Sequence, residues 1–497
     1  MIKNRKEQNL RVATISAEVS PYAKVGGLGD VGYALPKALA RLGHKVIIVT
    51  PYYGNVRKQN LVKERIDTKV MINIDGNGYP LSFRKYTSED GLPIYFVVNE
   101  DLFGSHQQIY QAMRDEALRW IFLDRAALEL FKLINFQPDI IHAHDWHAGL
   151  IPNYLKTVYR DDPFFRDTAT VYTLHNMRYQ GATMLQKLPE DKYDKGTGAP
   201  PEARAFRNYM NFMKRGIVNA NVINTVSERY AKEILTPKFG EGLEQYLKRR
   251  RQRVFGIING IDYEIYNPKY DKNIETTYDV ASLEQKATNK TALQKEVGLT
   301  VQARTPLMGM VNRLSEQKGF KLIMQAMPTL LKMDLQMVIV GSGDRDYLKF
   351  FREKARKHRV KIGVYSPFTE RMASRVYAGS DLYLMPSRWE PCGLSQLISL
   401  RYGSIPIVHS VGGLHDTITD FNPETDSGNG FKFETYTKDD LLVAITRACE
   451  SYKYQPSWNK LVYRAMKQSF SWELPAKKYT QLYHIALKLH AKENHGL

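Results

Sequence analysis

Six short motifs in the chain carry residue types that could do chemistry. The first is Lys24-Val-Gly-Gly-Leu-Gly-Asp30, between a strand-like and a helix-like segment. The adjacent Gly26 and Gly27 let the backbone approach a ligand closely. The helix that follows offers free N–H groups to an anion, and Lys24 adds a positive charge. The motif resembles a phosphate cradle, but it is neither a Walker A sequence nor G-x-G-x-x-G. Glycines at such a turn also serve purely structural ends. The second motif is His142-Ala-His-Asp-Trp-His147, three histidines in six residues. On a strand His142 and His144 share a face. The order is not that of a binuclear metallohydrolase, because Asp145 precedes Trp146. No other dense His/Asp/Glu cluster supplies further ligands, so a polar strand end without a metal is the stronger reading.

Arg313-Leu-Ser-Glu-Gln-Lys318-Gly319 places two cations five residues apart at a strand end. An Arg fork and a Lys point charge there could clamp a diphosphate; an exposed loop with ordinary surface charge is the plainer alternative. In Gly341-Ser-Gly-Asp-Arg-Asp346 the D-R-D mimics a metal-binding D-x-D. It opens a helix, however, so Asp344 or Asp346 is expected to cap it. Pro386-Ser-Arg-Trp-Glu390-Pro-Cys-Gly-Leu-Ser395 sets a glutamate at a strand end before a helical run. A carboxylate there could hold a sugar hydroxyl or stabilise positive charge. The amides of Gly393–Ser395 would open the helix, and Cys392 reads as a small packed residue rather than a nucleophile. Val411-Gly412-Gly413-Leu-His-Asp-Thr is another strand–Gly-Gly–helix junction. The joint occurrence of such junctions is more informative than any one.

These motifs need elements to hold them. Strand-like segments are Arg11–Ala17, Lys45–Pro51, Pro93–Val98, Ile140–His144, Thr168–His175 and Asn221–Val226. They are apolar almost throughout, as in parallel strands covered on both faces. Helical patterns such as Gly32–Leu42 and Asp115–Phe131 lie between them. A second series follows at Pro306–Val311, Gln336–Val340, Val360–Tyr365, Asp381–Pro386 and Ser404–Val408. This βαβ rhythm predicts α/β architecture with two doubly wound, Rossmann-like domains, 1–265 and 266–474. The polar stretch Asp262–Asp279 reads as the linker, and Gln186–Arg204 as a long surface loop. The tail Pro475–Leu497 reads as a helix with Tyr479, Leu482, Ile485, Leu487 and Leu489 as apolar positions. Ligands of such sheets bind at the carboxyl ends of the strands, so a cleft between facing domains is the expected site.

Composition sets the limits. The 497 residues include 43% hydrophobic and 25% charged residues, which excludes a mainly disordered chain. Cys392 and Cys449 are the only cysteines, which excludes a disulfide framework or a Cys-rich zinc site and suits a reducing compartment. No apolar run is long enough for a membrane helix, and MIKNRKEQNL lacks the apolar core of a signal peptide. The formal charge of +19 raises nucleic acid, anionic membranes and phosphorylated small molecules as partners. The basic run Lys248-Arg-Arg-Arg-Gln-Arg253 has no aromatic interleaving, so a solvated helix end is preferred to a nucleic-acid patch.

KVGGLGDV, HAHDWHAGLIP, TLHNMRYQG, NFMKRGIVNANVINTVSERYAKEI, GIINGID, RLSEQKG, PSRWEPCGLSQL and VGGLHDT occur in this order. Together they resemble bacterial glycogen synthases and plant starch synthases over nearly the whole chain. The resemblance implies a glycosyltransferase-B fold, with the C-terminal helix 475–497 crossing back to the first domain. It implies metal-independent, cofactor-free transfer of glucose from ADP-glucose to the non-reducing end of an α-1,4-glucan, with retention and with ADP as product. The acceptors would be glycogen or starch chains or malto-oligosaccharides, with no nucleic acid and no membrane as partner; the oligomeric state stays open. A bacterial source implies the cytoplasm, and a plant or algal source the plastid stroma.

By the same resemblance, Lys24 lies near the distal phosphate and glucosyl group, Gly26 and Gly27 back the donor, and Asp30 is on the nucleoside side. Arg313 and Lys318 match a diphosphate-binding pair, and Glu390 a central catalytic glutamate. Cys392, Gly393, Leu394 and Ser395 match a loop around the glucosyl hydroxyls and phosphate, and Gly412 and Gly413 join the donor side. Asp145, His175 and Asn259 match polar residues around the transferred sugar; Phe368 matches an aromatic on adenine. Trp146 and Phe103 are acceptor candidates. Val25 and Ser395 each replace a common Thr, and Ile398 stands where related retaining transferases carry a second Glu, which the glycogen synthase branch also lacks. The rivals are a phosphorylase, a nucleotide-sugar epimerase, or a non-catalytic glucan-binding relative.

Overall fold

Nearly continuous apolar segments form the strands at the centre of the sheet, and more polar ones the hairpin at its edge. β1 is Arg11–Ile15, β2 Lys45–Pro51, β3 Glu64–Ile74, β4 Asn77–Thr87 and β5 Pro93–Val98. β6 is Ile140–His144, β7 Ala169–Leu174, β8 Val222–Thr225 and β9 Val254–Gly256. In the computed structural model they make one sheet of order β3-β4-β5-β2-β1-β6-β7-β8-β9. The described residues are 9–495, apart from 60, 62, 106–108, 111–115, 182–193 and 208. From β5 to β9 all pairings are parallel, and the β3–β4 hairpin adds antiparallel at the edge. Strands β6 and β7 are buried at every position, as a sheet with both faces covered requires.

Sequence periodicity missed the hairpin. β3 is largely exposed, with Ile72 and Ile74 buried near its end, so it lacks the apolar run that marks the central strands. Its turn, Asp75-Gly76, has positive φ at both residues, as a two-residue hairpin needs.

A second sheet contains β10 Leu307–Val311, β11 Gln336–Val340, β12 Ile362–Tyr365, β13 Leu382–Met385, β14 Ile405–His409 and β15 Phe431–Phe433. Its order is β12-β11-β10-β13-β14-β15, all parallel. That is the doubly wound 3-2-1-4-5-6 order. The chain divides into two compact units. One holds the residues up to Asn259 and those from Trp472 onward; the other is Gly260–Ser471.

Within the first unit the C-terminal helix Glu473–His495 packs on the sheet. Its buried Tyr479 hydroxyl accepts from Asn224 Nδ2 at 2.9 Å, and Tyr483 lies 2.9 Å from His142 Nδ1. Burying such rings contributes roughly 1.5–3 kcal/mol each, and each hydroxyl keeps a partner. Ile485, expected on the apolar stripe, is instead exposed.

The polar segment Asp262–Asp279 is not a free linker; it is folded into the second unit. Tyr278 donates to Tyr402 O at 2.7 Å, Tyr402 donates to Asp271 Oδ2 at 2.7 Å, and Ile274 is buried. Its lack of period reflects aromatic and Asx anchors rather than mobility. Part of the loop expected at Gln186–Arg204 lies outside the described residues. The rest is pinned by Asp194, whose two oxygens accept from Arg215 at 2.7 and 2.9 Å in a buried pair. Among the described residues no helix is long and apolar enough to cross a membrane.

Each sheet has a switch point where strand order reverses, at β1/β6 in the first and β10/β13 in the second. The loops leaving the carboxyl ends of these four strands hold most of the candidate residues.

Candidate functional site

In the first unit, β1 runs into Ser16–Gly26 and the helix Gly27–Arg41. The buried Glu18 organises this turn. Its Oε2 accepts from the backbone amides of Val25 at 2.7 Å and Gly26 at 2.8 Å, and its Oε1 accepts from the Tyr110 hydroxyl at 2.6 Å. The amides of Val25 and Gly26, just before the helix, thus serve an internal carboxylate by charge-assisted hydrogen bonds; the N–H groups expected to meet an anion are those of the helix that starts at Gly27. Lys24 pairs with Asp30 at 2.8 Å, and both remain partly accessible.

The loop after β6 supplies Asp145, which has φ 55° and ψ −175°. That backbone region is almost reserved for glycine and costs a side chain roughly 1–3 kcal/mol. Asp145 Oδ1 accepts from the His175 amide at 2.7 Å, tying the ends of β6 and β7 together. Burial, with a smaller push from Glu18, raises the Asp145 carboxyl to about 7; the amides of His175 and Asn176 pull the other way. Asp145 can thus exchange a proton near neutrality. Burial lowers His175 to about 3 and also holds His144 well below the usual range, so both rings are neutral. They lie 3.1 Å apart, His144 Nδ1 to His175 Nε2.

His142 has both nitrogens engaged, by Tyr483 and by Thr173 Oγ1 at 2.6 Å, and has no lone pair left for a metal. Among the described residues no three His, Cys, Asp or Glu groups are arranged to hold an ion. Asn259, the last residue before the second unit, is buried, and its Oδ1 has no hydrogen-bond partner among the described residues.

The acceptor candidates fare differently. Phe103 is fully buried, packed edge-on against Tyr53 and tilted against Trp120 and Phe122, with the Arg119 guanidinium 5.4 Å from its ring. It is a core residue and offers no face to a sugar. Trp146 is only partly buried, its ring against His147, Trp120 and Phe212.

In the second unit the loops after β10 and β13 meet. Lys318 Nζ donates to Glu390 Oε2 at 2.6 Å, and Ser387 Oγ donates to the same oxygen at 2.9 Å. The Arg388 amide donates to Gln317 O at 2.8 Å, fixing the two loops side by side. Arg313 is exposed and has no ion-pair partner among the described residues. The next loops adjoin: the Leu314 amide donates to Ser342 O, and Ser342 Oγ accepts from the Phe368 amide at 3.1 Å. Phe368 is 47% exposed, which leaves its ring available for stacking.

Gly412 and Gly413 lie under the segment Glu390–Cys392. A Cβ on either would come within 2.0 Å of a carbonyl oxygen, that of Glu390 or of Cys392. These glycines let the catalytic-candidate loop lie flat on the next strand's exit. Gly393, at φ 72°, turns the chain into the helix Ser395–Arg401, with Leu394 between. Gln396 Nε2 holds the Cys392 and Gly393 carbonyls at 3.1 and 2.9 Å. Asp344 does not join this group as a ligand. It caps its own helix, accepting from the amides of Asp346 and Tyr347.

Two family models match the chain. The starch synthase catalytic domain covers residues 11–249, and the glycosyl transferases group 1 model covers 295–466. A glycogen synthase from Geotalea daltonii is 40% identical over 484 residues, covering 96% of this chain and 99% of the relative. One from Thermotoga petrophila is 42% identical over 490 residues, covering 96% and 99%.

The chain belongs to the glycogen and starch synthase family.

A solved family structure is similar throughout. The catalytic domain of starch synthase IV from Arabidopsis thaliana, bound to ADP and acarbose, is 33% identical with a TM-score of 0.86, over 97% of this chain and 100% of that one. Sucrose-phosphate synthase from Thermosynechococcus elongatus, at 18% identity and a TM-score of 0.58 over 96% and 98%, shares the fold. Within this synthase chain, sequence reading passed over Glu18, Tyr110 and Ser387. Glu18 had a signal: an acidic residue just past a strand end, ahead of a glycine turn. Tyr110 and Ser387 had none, because only the fold brings them to a carboxylate.

Proposed function

We propose that this synthase transfers glucose from ADP-glucose to the non-reducing end of an α-1,4-glucan, with retention. The observation that carries this reading is the Lys318–Glu390 pair at the β10/β13 switch point, with the unpaired Arg313 on the same loop as Lys318. Breaking a glycosyl–phosphate bond leaves positive charge on the sugar ring and negative charge on the departing diphosphate. Arg313 and Lys318 supply fixed positive charge for the second, which is electrostatic catalysis by pre-placed groups. Glu390, held by Lys318 and Ser387, orients sugar hydroxyls and favours the cationic ring. Phe368 offers its exposed ring to adenine. The starch synthase IV domain bound to ADP and acarbose supports a nucleotide and a glucan as ligands.

In the first unit Asp145, His175 and Asn259 are assigned to the transferred sugar and Lys24 to the distal phosphate. The Glu18-braced turn gives Gly26 and Gly27 a fixed shape for backing the donor. With the sugar's opposite face lacking an assigned nucleophile, the acceptor attacks on the face the diphosphate leaves, and the leaving phosphate takes the acceptor's proton. Labelled-glucose incorporation into glycogen from ADP-glucose and from UDP-glucose, each with and without chelator, tests this. Incorporation from ADP-glucose that survives chelation is the expected result. Absence of incorporation from either donor overturns it.

A further inference from the structure

The basic run Lys248–Arg253 has no part in the reaction above, yet it is not a simple solvated helix end. It lines a recess of about 550 Å³ in the first unit. Lys156, Lys248, Arg249, Arg250, Arg251 and Arg253 all face that recess, with Glu493 the one carboxylate among the lining residues. The volume suits a small molecule.

The location separates it from the reaction. Glu493 accepts from Asn221 Nδ2 at 3.1 Å, and Asn221 immediately precedes β8. Arg253 immediately precedes β9. Strands β6 to β9 are parallel, so the recess lies at their amino ends, whereas Asp145 and His175 follow the carboxyl ends of β6 and β7.

The charges are held together rather than spread. Arg250 donates to the carbonyls of Ile217 and Ala220, at the end of the helix Phe212–Asn219, which fixes its guanidinium. Glu493 ties Lys156, at 2.8 Å, to Arg253. Lys248, Arg249 and Arg251 are exposed and have no ion-pair partner among the described residues. Six cations meet one carboxylate, an excess of five positive charges. Burial first, and then Arg253, draws Arg250 down to about 10; burial likewise lowers Lys156, against the opposing pull of Glu493 and with smaller pushes from Arg250 and Arg253. Glu493 relieves the like-charge repulsion of the free site only in part, and an anion would reduce it further.

We propose that this recess binds a small molecule bearing two or more phosphate charges, held by forked contacts from the arginines. Glu493 acts as an internal anion that competes with it for Lys156 and Arg253. Removing that carboxylate's charge therefore strengthens binding, and removing the unpaired arginines weakens it.

Titration calorimetry with sodium tripolyphosphate on the full chain tests this. The proteins are wild type, Arg249→Ala/Arg251→Ala, Glu493→Gln and Arg313→Ala. The double variant changes only exposed side chains and should keep its thermal midpoint and its glucosyl transfer. The expected result is a binding event weakened by about tenfold or more in the double variant, as loss of charge-assisted hydrogen bonds implies. The same event should be tightened in Glu493→Gln and unchanged in Arg313→Ala. Loss only in Arg313→Ala places the anion in the donor site and overturns the proposal. Equal affinity in wild type and the double variant overturns it too. So does tighter binding of a short DNA duplex than of tripolyphosphate through Arg249 and Arg251, which would make the surface a nucleic-acid site.

Discussion

Lys318 Nζ lies 2.6 Å from Glu390 Oε2, so the free protein neutralises the two charges on which the proposed reaction depends. The pair is partly buried, with 18% and 7% of the side chains exposed. Each partner therefore keeps the other desolvated and in place. Glu390→Ala should lower glucose incorporation by about 10²–10³ while the protein stays folded. Lys318→Ala should lose activity to a similar degree and also lower the thermal midpoint, because Glu390 is left with Ser387 alone. Steady-state transfer and thermal unfolding of both variants check this. Near-normal transfer by Glu390→Ala would remove the role given to it.

Glu18 is the second carboxylate to test. It holds two backbone amides of the Lys24–Asp30 turn and the Tyr110 hydroxyl. In Glu18→Ala those partly buried donors lose a charged acceptor, which costs roughly 1–3 kcal/mol of stability. The turn should loosen, and KM for the nucleotide sugar should rise by about tenfold or more, since positioning contributes strongly to such binding. Tyr110→Phe removes only one of the three bonds and should show a smaller effect. An unchanged KM in Glu18→Ala would show that the turn's shape does not matter to the donor.

Much of this arrangement was legible in sequence because the parallel strands are almost wholly apolar. Lys45–Pro51, Pro93–Val98, Ile140–His144 and Gln336–Val340 are strands with the bounds their composition implies. The edge elements were not legible: β3 is largely exposed, and β9 and β15 have three residues each. Among candidate residues, position along a strand–loop–helix junction was enough to place Lys318 and Glu390 each at a strand end, and the fold then brings the two together. It could not separate Phe103, deep in the core, from Phe368, on the surface. An aromatic's accessibility depends on what packs over it, which local sequence does not encode. Nor could spacing show that the glycine turn's amides already serve Glu18, a residue seven positions before Val25.

The buried histidines set the acid limit of the first unit. Burial holds His142, His144, His147 and His175 below their usual pKa of about 6.5, so they are neutral in the fold but charge on unfolding in acid. The unfolded state then binds more protons, and stability rises with pH up to about 6.5 and falls below it. Asp145 acts in the opposite sense, since its raised carboxyl binds a proton in the fold between about 4 and 7. His44 adds to the histidines' effect, while the carboxyls of Asp124 and Glu116, which burial also raises, act with Asp145 and offset part of the loss of stability on acidification. Urea midpoints at pH 5, 6 and 7 should show this loss on acidification. Asp145→Asn should steepen it by about one proton between about pH 4 and 7. A flat profile from pH 5 to 7 would contradict neutral buried rings.

Gly26 separates a structural need from a ligand-driven one. At Gly412 an added Cβ meets the Glu390 carbonyl at 2.0 Å, so Gly412→Ala should displace that loop, lowering the thermal midpoint and the activity together. At Gly26 a Cβ meets nothing within 4 Å, and φ is −143°, which any residue adopts. Gly26→Ala should therefore leave the thermal midpoint within about 1 °C of wild type, as an unstrained surface change does. If the donor approaches this turn as closely as proposed, the added methyl group occupies its space. KM for ADP-glucose should then rise by about tenfold, a cost of about 1.4 kcal/mol, with glucan affinity unaffected. Paired unfolding and kinetic measurements decide the matter. A variant that binds donor normally would show that the glycine at this position serves no ligand.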